Sequence, residues 1–395
     1  MVREQLSTDI FDDTETAFAI KSDAELEKAY WLFSIIKSEP LVKLGTAVTN
    51  FALKYHLPVE GLIRTTVFEH FCGGIDELDA LRIVEKLYSK GVYSILDYSV
   101  EGAETDESFD HTMHKTLNLI KLAAKRPEIP FAVFKPTGIG AFKIYEKVSA
   151  GQTLTPGEQA AWQRVKDRYD RLARAAVKYQ VPIMVDAEES WMQKAVDDLM
   201  EELMREYNRD DVYVITTLQM YRKDRYDYLQ YLLDKARTED FMLGIKFVRG
   251  AYMEKERERA KELGYSSPIC ETKERTDWNY NRAIRLMMDH TDTGLIYNGT
   301  HNEESTLLMA RLIDEKGLQR NDPHLWFGQL YGMSDHITFN LAKHGFNTSK
   351  YIPFGPVKYV MPYLIRRAEE NTSVTGQTHR ELELLEKERK RRKLV

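Results

Sequence analysis

The chain has 395 residues, a formal net charge of -6, 43% hydrophobic and 11% aromatic residues. Such a chain can bury a sizeable core in one large domain with an appendage or in two domains, which excludes global disorder. The acidic balance argues against nucleic acid as the main partner.

The two cysteines, Cys72 and Cys270, are far apart and lack metal-ligand spacing. They read as reduced thiols, as in an intracellular protein. No apolar run approaches the length of a membrane span. The N-terminus (MVREQLSTDIFDDTETAF) is acidic where a transit peptide is basic, and it lacks the apolar core of a signal peptide. The expectation is a bacterial cytoplasmic protein, or one held peripherally at the inner face of the inner membrane.

Residues 1–75 read as a helical arm. Asp23 precedes the apolar positions Leu26, Tyr30 and Phe33, the pattern of a capped amphipathic helix. A second helix is predicted over 41–55, stopping near Pro58. His56 and His70 stand alone and read as packed or exposed groups. Gly73 and Gly74 mark a junction. From there short apolar runs recur at 92–98, 131–136, 182–188, 212–219, 244–252, 294–302, 325–332 and 350–355. Amphipathic helical patterns lie between them, among others at 160–179, 195–207, 224–237 and 277–288. Continuous apolar runs alternating with helices imply parallel strands buried on both faces. Eight such units close into a (β/α)8 barrel over 76–376. An open doubly wound sheet is the rival, but no G-x-G-x-x-G follows an early strand. The stretch 150–157 is a loop insertion before a long charged helix. The basic tail 377–395 reads as a terminal helix with a solvated, fraying end, or as a weak contact for anionic lipid or a partner.

Catalytic groups of a barrel cluster at the C-terminal ends of its strands. Here those ends carry Lys135, then Asp186 with Glu188, then Gln219, then Lys246, Arg249 and Gly250. Thr300, His301 and Asn302 follow on the sixth strand, Gln329 on the seventh and Tyr351 on the eighth. Each alone has a plain structural explanation, such as a helix cap or a rim salt bridge. Asp97 and Glu101 belong to that class too, although either could brace an arginine. No set has metal spacing, so no metal is expected. Lys135 is compatible with a Schiff base, but the surrounding donors would then be unexplained. Several cations, amides and hydroxyls around one barrel mouth suit a large phosphate-bearing cofactor and a small acid. Phosphate oxygens call for Arg249, Lys273 or His301, and a flavin pyrimidine edge calls for Gln219. Late in the chain Arg366 and Arg367 are adjacent and Glu370 lies one helical turn beyond Arg366. Two guanidinium forks beside a carboxylate form a receptor for a small zwitterion, or a solvated helix face with i,i+4 pairs.

The segments VDAEE at 185–189, VRGAY at 248–252, GTHN at 299–302, FGQLYGM at 327–333 and YLIRRAEEN at 363–371 resemble, in order and at matching strand ends, the motif set of proline dehydrogenase. The resemblance covers 91–374 and points to the monofunctional branch. It implies a distorted (β/α)8 TIM barrel with an N-terminal helical arm and non-covalent FAD. It implies oxidation of L-proline to Δ1-pyrroline-5-carboxylate by hydride transfer from proline C5 to flavin N5, the first step of proline catabolism to glutamate. The electrons then pass to a membrane quinone. Arg366, Arg367 and Lys135 match carboxylate ligands, and Glu370 matches the acid facing the ring nitrogen. Tyr351, Tyr363, Tyr252 and Leu330 match the walls around the ring. Asp186, Gln219, Arg249, Ala251, Thr300, His301 and Gln329 fall at flavin positions, with Gly250, Thr272, Lys273 and Asn302 beside them. Lys246 stands where many bacterial members carry arginine near the flavin N5. Tyr351 implies preference for proline over hydroxyproline by crowding C4. The competing expectations are a hydroxyproline dehydrogenase, a lysine Schiff-base lyase using Lys135, and a non-enzymatic scaffold.

Overall fold

The structure, a computed structural model, describes residues 6–37, 67–99, 104–357, 359–361, 363–365 and 375–395. The helix expected over 41–55 and His56 lie outside the described residues, as do Glu101, Arg366, Arg367 and Glu370. Eight parallel strands close into a barrel in the order β1 to β8. They are Tyr93–Tyr98, Phe131–Phe134, Ile183–Val185, Val214–Gln219, Leu243–Val248, Gly294–Gly299, Leu325–Leu330 and Thr348–Phe354. Each falls inside or overlaps one of the eight apolar runs. The strands are shorter than several runs because the polar residues at the run ends leave the ladder and form the rim. In β4 all six residues are buried and in β8 all seven, as strands covered on both faces require. The result is a (β/α)8 barrel with helices outside and a helical N-terminal segment.

The chain divides into two compact units, one over 102–327 and one over 6–101 with 328–395. The first holds β2 to β6 and the start of β7. Its strands are in parallel register, with Val185 opposite Thr216, Thr217 opposite Lys246, and Lys246 opposite Tyr297. Phe131 packs edge-on against Trp326 at 4.9 Å and Tyr297 at 6.0 Å. Local sequence sets the helix starts. Thr155 caps the helix Pro156–Tyr179 with a reciprocal Glu158 bond, and Pro156 sits in the first turn where its missing N–H costs nothing. The insertion at 150–157 is thus the turn between the short helix Phe142–Ser149 and this capped start.

The second unit holds β1, the end of β7 and β8, with Tyr93 to Tyr98 paired along Ser349 to Phe354. Ser22 and Glu25 form the capping box of the helix Asp23–Ile36, one residue before the cap expected at Asp23. Leu26, Phe33, Phe68, Phe71, Met333, Val360, Leu364, Leu384 and Leu385 share one apolar cluster. The tail differs from its expectation as a solvated end. Its helix Thr375–Arg391 buries Leu384 and Leu385. Its cations meet acids far upstream: Arg389 bonds Glu27 at 2.6 Å, Arg380 bonds Asp12 at 2.5 Å and Arg392 bonds Asp23 at 3.0 Å. Among the described residues no helix is long and apolar enough to cross a membrane, and no group of three or more His, Cys, Asp or Glu is arranged to hold a metal ion.

Candidate active site

The strand ends of the first unit converge on one carboxylate. Asp186 follows β3, and its backbone N–H donates to Phe134 O at 3.0 Å, so the chain stays in register one residue past the strand. Lys246, buried within β5, donates to Asp186 Oδ1 at 2.5 Å. Lys135, just after β2, places Nζ 3.6 Å from Asp186 Oδ2. One carboxylate therefore faces two ammonium groups from two strands, and the trio carries a net positive charge suited to an acid or an electron-rich ring edge.

Gln219 at the end of β4 is buried beside them. Its Nε2 donates to Ala187 O at 3.3 Å, while its Oε1 has no hydrogen-bond partner among the described residues. A buried acceptor left open is costly unless something outside the chain fills it. The loop after β5 runs close to that after β4. Met220 N donates to Val248 O at 2.8 Å and Tyr221 N to Arg249 O at 2.9 Å. Gly250 adopts φ +133°, and a Cβ there would lie 2.5 Å from the Tyr221 ring. Only glycine suits that turn, and it presents bare backbone beside Ala251 and Tyr252, both half-buried.

Arg249 is fixed on every side. Its Nε donates to Asp277 Oδ1 at 2.8 Å, Nη1 to Thr300 Oγ1 at 2.6 Å and Nη2 to Ser305 Oγ at 3.0 Å. The guanidinium lies 4.6 Å from the Tyr280 ring centre. Burial opposes the charge on Asp277, yet bonds from Lys273 and Arg249 hold its carboxyl below the ordinary range. Lys273 is exposed and bonds Asp277 at 2.6 Å. Thr272 and Asn302 cap the helices Lys273–Met288 and Glu303–Glu315, accepting from Arg275 N at 3.2 Å and Ser305 N at 2.8 Å. His301 is half-buried between Thr300 and Asn302.

Glu188 stands among the strand-end polar residues of the sequence, which gave it no role of its own. It is buried and accepts from Thr137 N at 2.9 Å and Thr137 Oγ1 at 2.7 Å. Burial pushes its carboxyl up to about 7, with Glu189 adding to the rise and Thr137 and Lys135 opposing it. Thr137 lies two residues past Lys135, so Glu188 ties down the turn that carries that lysine. Asp277, Ser305 and Tyr280 were missed. They lie on helices, where nothing in the local pattern separates them from surface or core positions.

In the second unit Gln329 is buried and accepts from Thr338 Oγ1 at 2.7 Å. Leu330 is half-buried, and Tyr351 and Tyr363 are buried. Tyr331 N donates to Tyr351 O at 2.9 Å, joining the end of β7 to β8. The first unit thus brings together Lys135, Asp186, Gln219 and Lys246, and separately Arg249, Thr300 and Lys273.

The residues present fit a flavin dinucleotide on chemical grounds. An unpaired buried amide oxygen can meet a ring N–H, a cationic trio can face the electron-accepting edge, and a glycine turn and cationic rim can approach phosphate.

A family profile described as "Proline dehydrogenase" matches residues 80–380. "Carbapenem antibiotics biosynthesis protein CarD" of Pectobacterium carotovorum subsp. carotovorum is 38% identical over 351 residues, covering 89% of this chain and 91% of that protein. "Proline dehydrogenase 2, mitochondrial" of Arabidopsis thaliana is 31% identical over 400 residues, covering 89% of this chain and 84% of that protein. Among solved structures, proline utilization A from Bdellovibrio bacteriovorus inactivated by N-propargylglycine superposes with a TM-score of 0.69 at 18% identity. That match covers 93% of this chain and 37% of the longer one, and it speaks to the fold.

Proposed function

The chain belongs to the proline dehydrogenase family, and we propose that it oxidises L-proline to Δ1-pyrroline-5-carboxylate with FAD as cofactor and a membrane quinone as electron acceptor. The observation that carries this reading is the Lys135–Asp186–Lys246 trio beside the open Oε1 of buried Gln219. Bound FAD supplies a two-electron acceptor for the hydride that leaves proline C5.

The chain's own residues bind, orient and exclude water. Arg366 and Arg367, outside the described residues, grip the carboxylate with paired N–H donors, and Lys135 adds a third cation. Glu370 faces the ring nitrogen. That nitrogen must shed its proton before C5 can release a hydride, with Glu370 or water as acceptor. Tyr351, Tyr363, Tyr252 and Leu330 wall the ring, and Tyr351 crowds C4 against a hydroxyl. Asp186 holds Lys135 and Lys246 in place. On the cofactor side Gln219, Gly250, Ala251 and Gln329 take the ring and nearby chain. Arg249, Thr300, His301 and Asn302, with Thr272 and Lys273 further out, form the phosphate-bearing side.

The test is turnover of purified protein on L-proline and on trans-4-hydroxy-L-proline with a soluble quinone, the product being identified by mass. The expected result is loss of two hydrogens from L-proline and a clear preference for it in kcat/KM. Preference for the hydroxylated substrate would transfer the assignment to hydroxyproline oxidation. No turnover of either would overturn it.

A further inference from the structure

The loop after β7 is held by side chains from four distant places. Tyr331 N donates to Tyr351 O at 2.9 Å. Gly332 O lies 2.9 Å from His70 Nε2. Burial depresses the His70 pKa to about 3, so the ring is neutral and the nitrogen facing that carbonyl is the protonated donor. Met333 O accepts from the ammonium of Lys350, which is fully buried. Ser334 N donates to Glu381 Oε1 at 2.5 Å. Asp335 closes the loop, with Oδ1 2.9 Å from Lys350 and Oδ2 3.0 Å from Lys21.

The backbone here is unusual as well. Gly332 has φ +80°, and a Cβ there would lie 2.3 Å from His70 O. Ser334, which is not glycine, holds φ +51° and is fully buried. Strained, buried backbone persists only where its surroundings over-determine it, and buried carbonyl and N–H groups require partners. Three of the four anchors, Lys21, His70 and Glu381, lie outside the segment that matches the family profile. The loop itself begins at Leu330 and is bonded to Tyr351.

We infer that residues 331–335 form a rigid shelf that sets Leu330 and Tyr351 against the substrate ring, and that Lys21 and Glu381 are positioning residues for substrate selection. The N-terminal segment and the C-terminal helix then act on the substrate site through this shelf, without touching substrate. The inference rests on the reading of Leu330 and Tyr351 as ring walls. A looser shelf leaves the electron acceptor in place but widens the pocket. Substrate affinity and discrimination at C4 fall more than the rate of the bound complex.

The test uses the flavin-loaded enzyme and the variants Glu381→Ala, Glu381→Gln, Lys21→Met and Lys21→Arg. Turnover of L-proline by the unaltered protein is measured first; its absence overturns the functional reading itself. Given that turnover, Glu381→Ala and Lys21→Met are expected to raise KM for L-proline about tenfold, the loss typical of one buried polar contact, with kcat changed less than about threefold. The preference for L-proline over trans-4-hydroxy-L-proline narrows in both. Glu381→Gln still offers an oxygen to Ser334 N, and Lys21→Arg still reaches Asp335. Both stay within about twofold of the unaltered protein. Should Glu381→Ala not fold, Lys21→Met carries the same test, because the Lys350–Asp335 pair remains. Unmoved KM and unmoved preference in the folded Ala or Met variant overturn the shelf alone. So does a loss confined to kcat.

Discussion

Asp186→Asn is the perturbation whose outcome the geometry constrains most tightly. The carboxylate is bonded to Lys246 at 2.5 Å and lies 3.6 Å from Lys135, with side-chain exposures of 16% for Asp186, 7% for Lys246 and 16% for Lys135. Asparagine keeps the shape and removes the charge. Two ammonium groups are then left facing one another, one of them buried. Stranding a buried charge costs about 3–5 kcal/mol, and the residual exposure and the retained amide oxygen bring the expected loss to about 2–3 kcal/mol. Urea unfolding of the flavin-loaded protein reads that number. Lys246→Met in the same chain removes the stranded ammonium and should restore about 2 kcal/mol, while activity should stay low because the cation proposed to face the flavin is gone. The single variant should lose about 10- to 100-fold in kcat/KM on L-proline, equivalent to about 1.4–2.7 kcal/mol. The reasoning is refuted if Asp186→Asn unfolds within about 0.5 kcal/mol of the unaltered protein, the range of an ordinary surface change. It is equally refuted if the second substitution fails to restore stability.

Three further outcomes rest on the same geometry. Glu188 titrates at about 7 when folded against an ordinary 4.5. Between those values the unfolded chain ionises while the folded one keeps its proton, so this group lowers stability as pH rises, with no further change above about 7. The full effect is about 3 kcal/mol; Glu188→Gln should therefore gain about 2 kcal/mol on the unaltered protein between pH 5 and pH 8, and parallel urea midpoints across that range would count against the assignment. Gln219→Leu removes a buried acceptor that has no partner among the described residues, together with the 3.3 Å bond from Nε2 to Ala187 O, so the flavin-free protein should lose no more than about 1 kcal/mol, while FAD affinity falls about tenfold by titration; equal FAD affinity would detach Gln219 from the cofactor. Gly250→Ala drives a Cβ into the Tyr221 ring at a positive φ and should cost about 2–3 kcal/mol in thermal or urea unfolding together with flavin content, whereas an unaltered variant would mean the turn is not held as described.

The barrel is legible in the sequence because its strands are covered on both faces. A run such as 214–218 is apolar or small throughout, and no surface face blurs it. Strand-end polar residues stand out against those runs, which is why Lys135, Asp186, Gln219 and Lys246 could be named. Their mutual arrangement was not legible. That one aspartate would face two lysines depends on register across β3, β4 and β5, and on which way the turn after β2 aims its side chain. Arg249 shows the same limit. Sequence offers it as a phosphate cation, while the structure bonds each of its three nitrogens once, to Asp277, Thr300 and Ser305, two of them on helices that give no local sign of the role. The tail misled for a different reason. Its dense charge reads as solvation, but besides the local acid Glu388 its cations meet Asp12, Asp23 and Glu27, more than 350 residues earlier. Leu382, Leu384 and Leu385, all buried, are the local hint of a packed face.

The visible absorption of the purified protein, recorded without oxygen before and after adding L-proline, tests the central claim most directly. The account predicts a yellow protein with a flavin spectrum that bleaches on addition of L-proline and recovers when a quinone is supplied. A colourless protein that takes up no FAD, or a flavin band indifferent to L-proline, would contradict it.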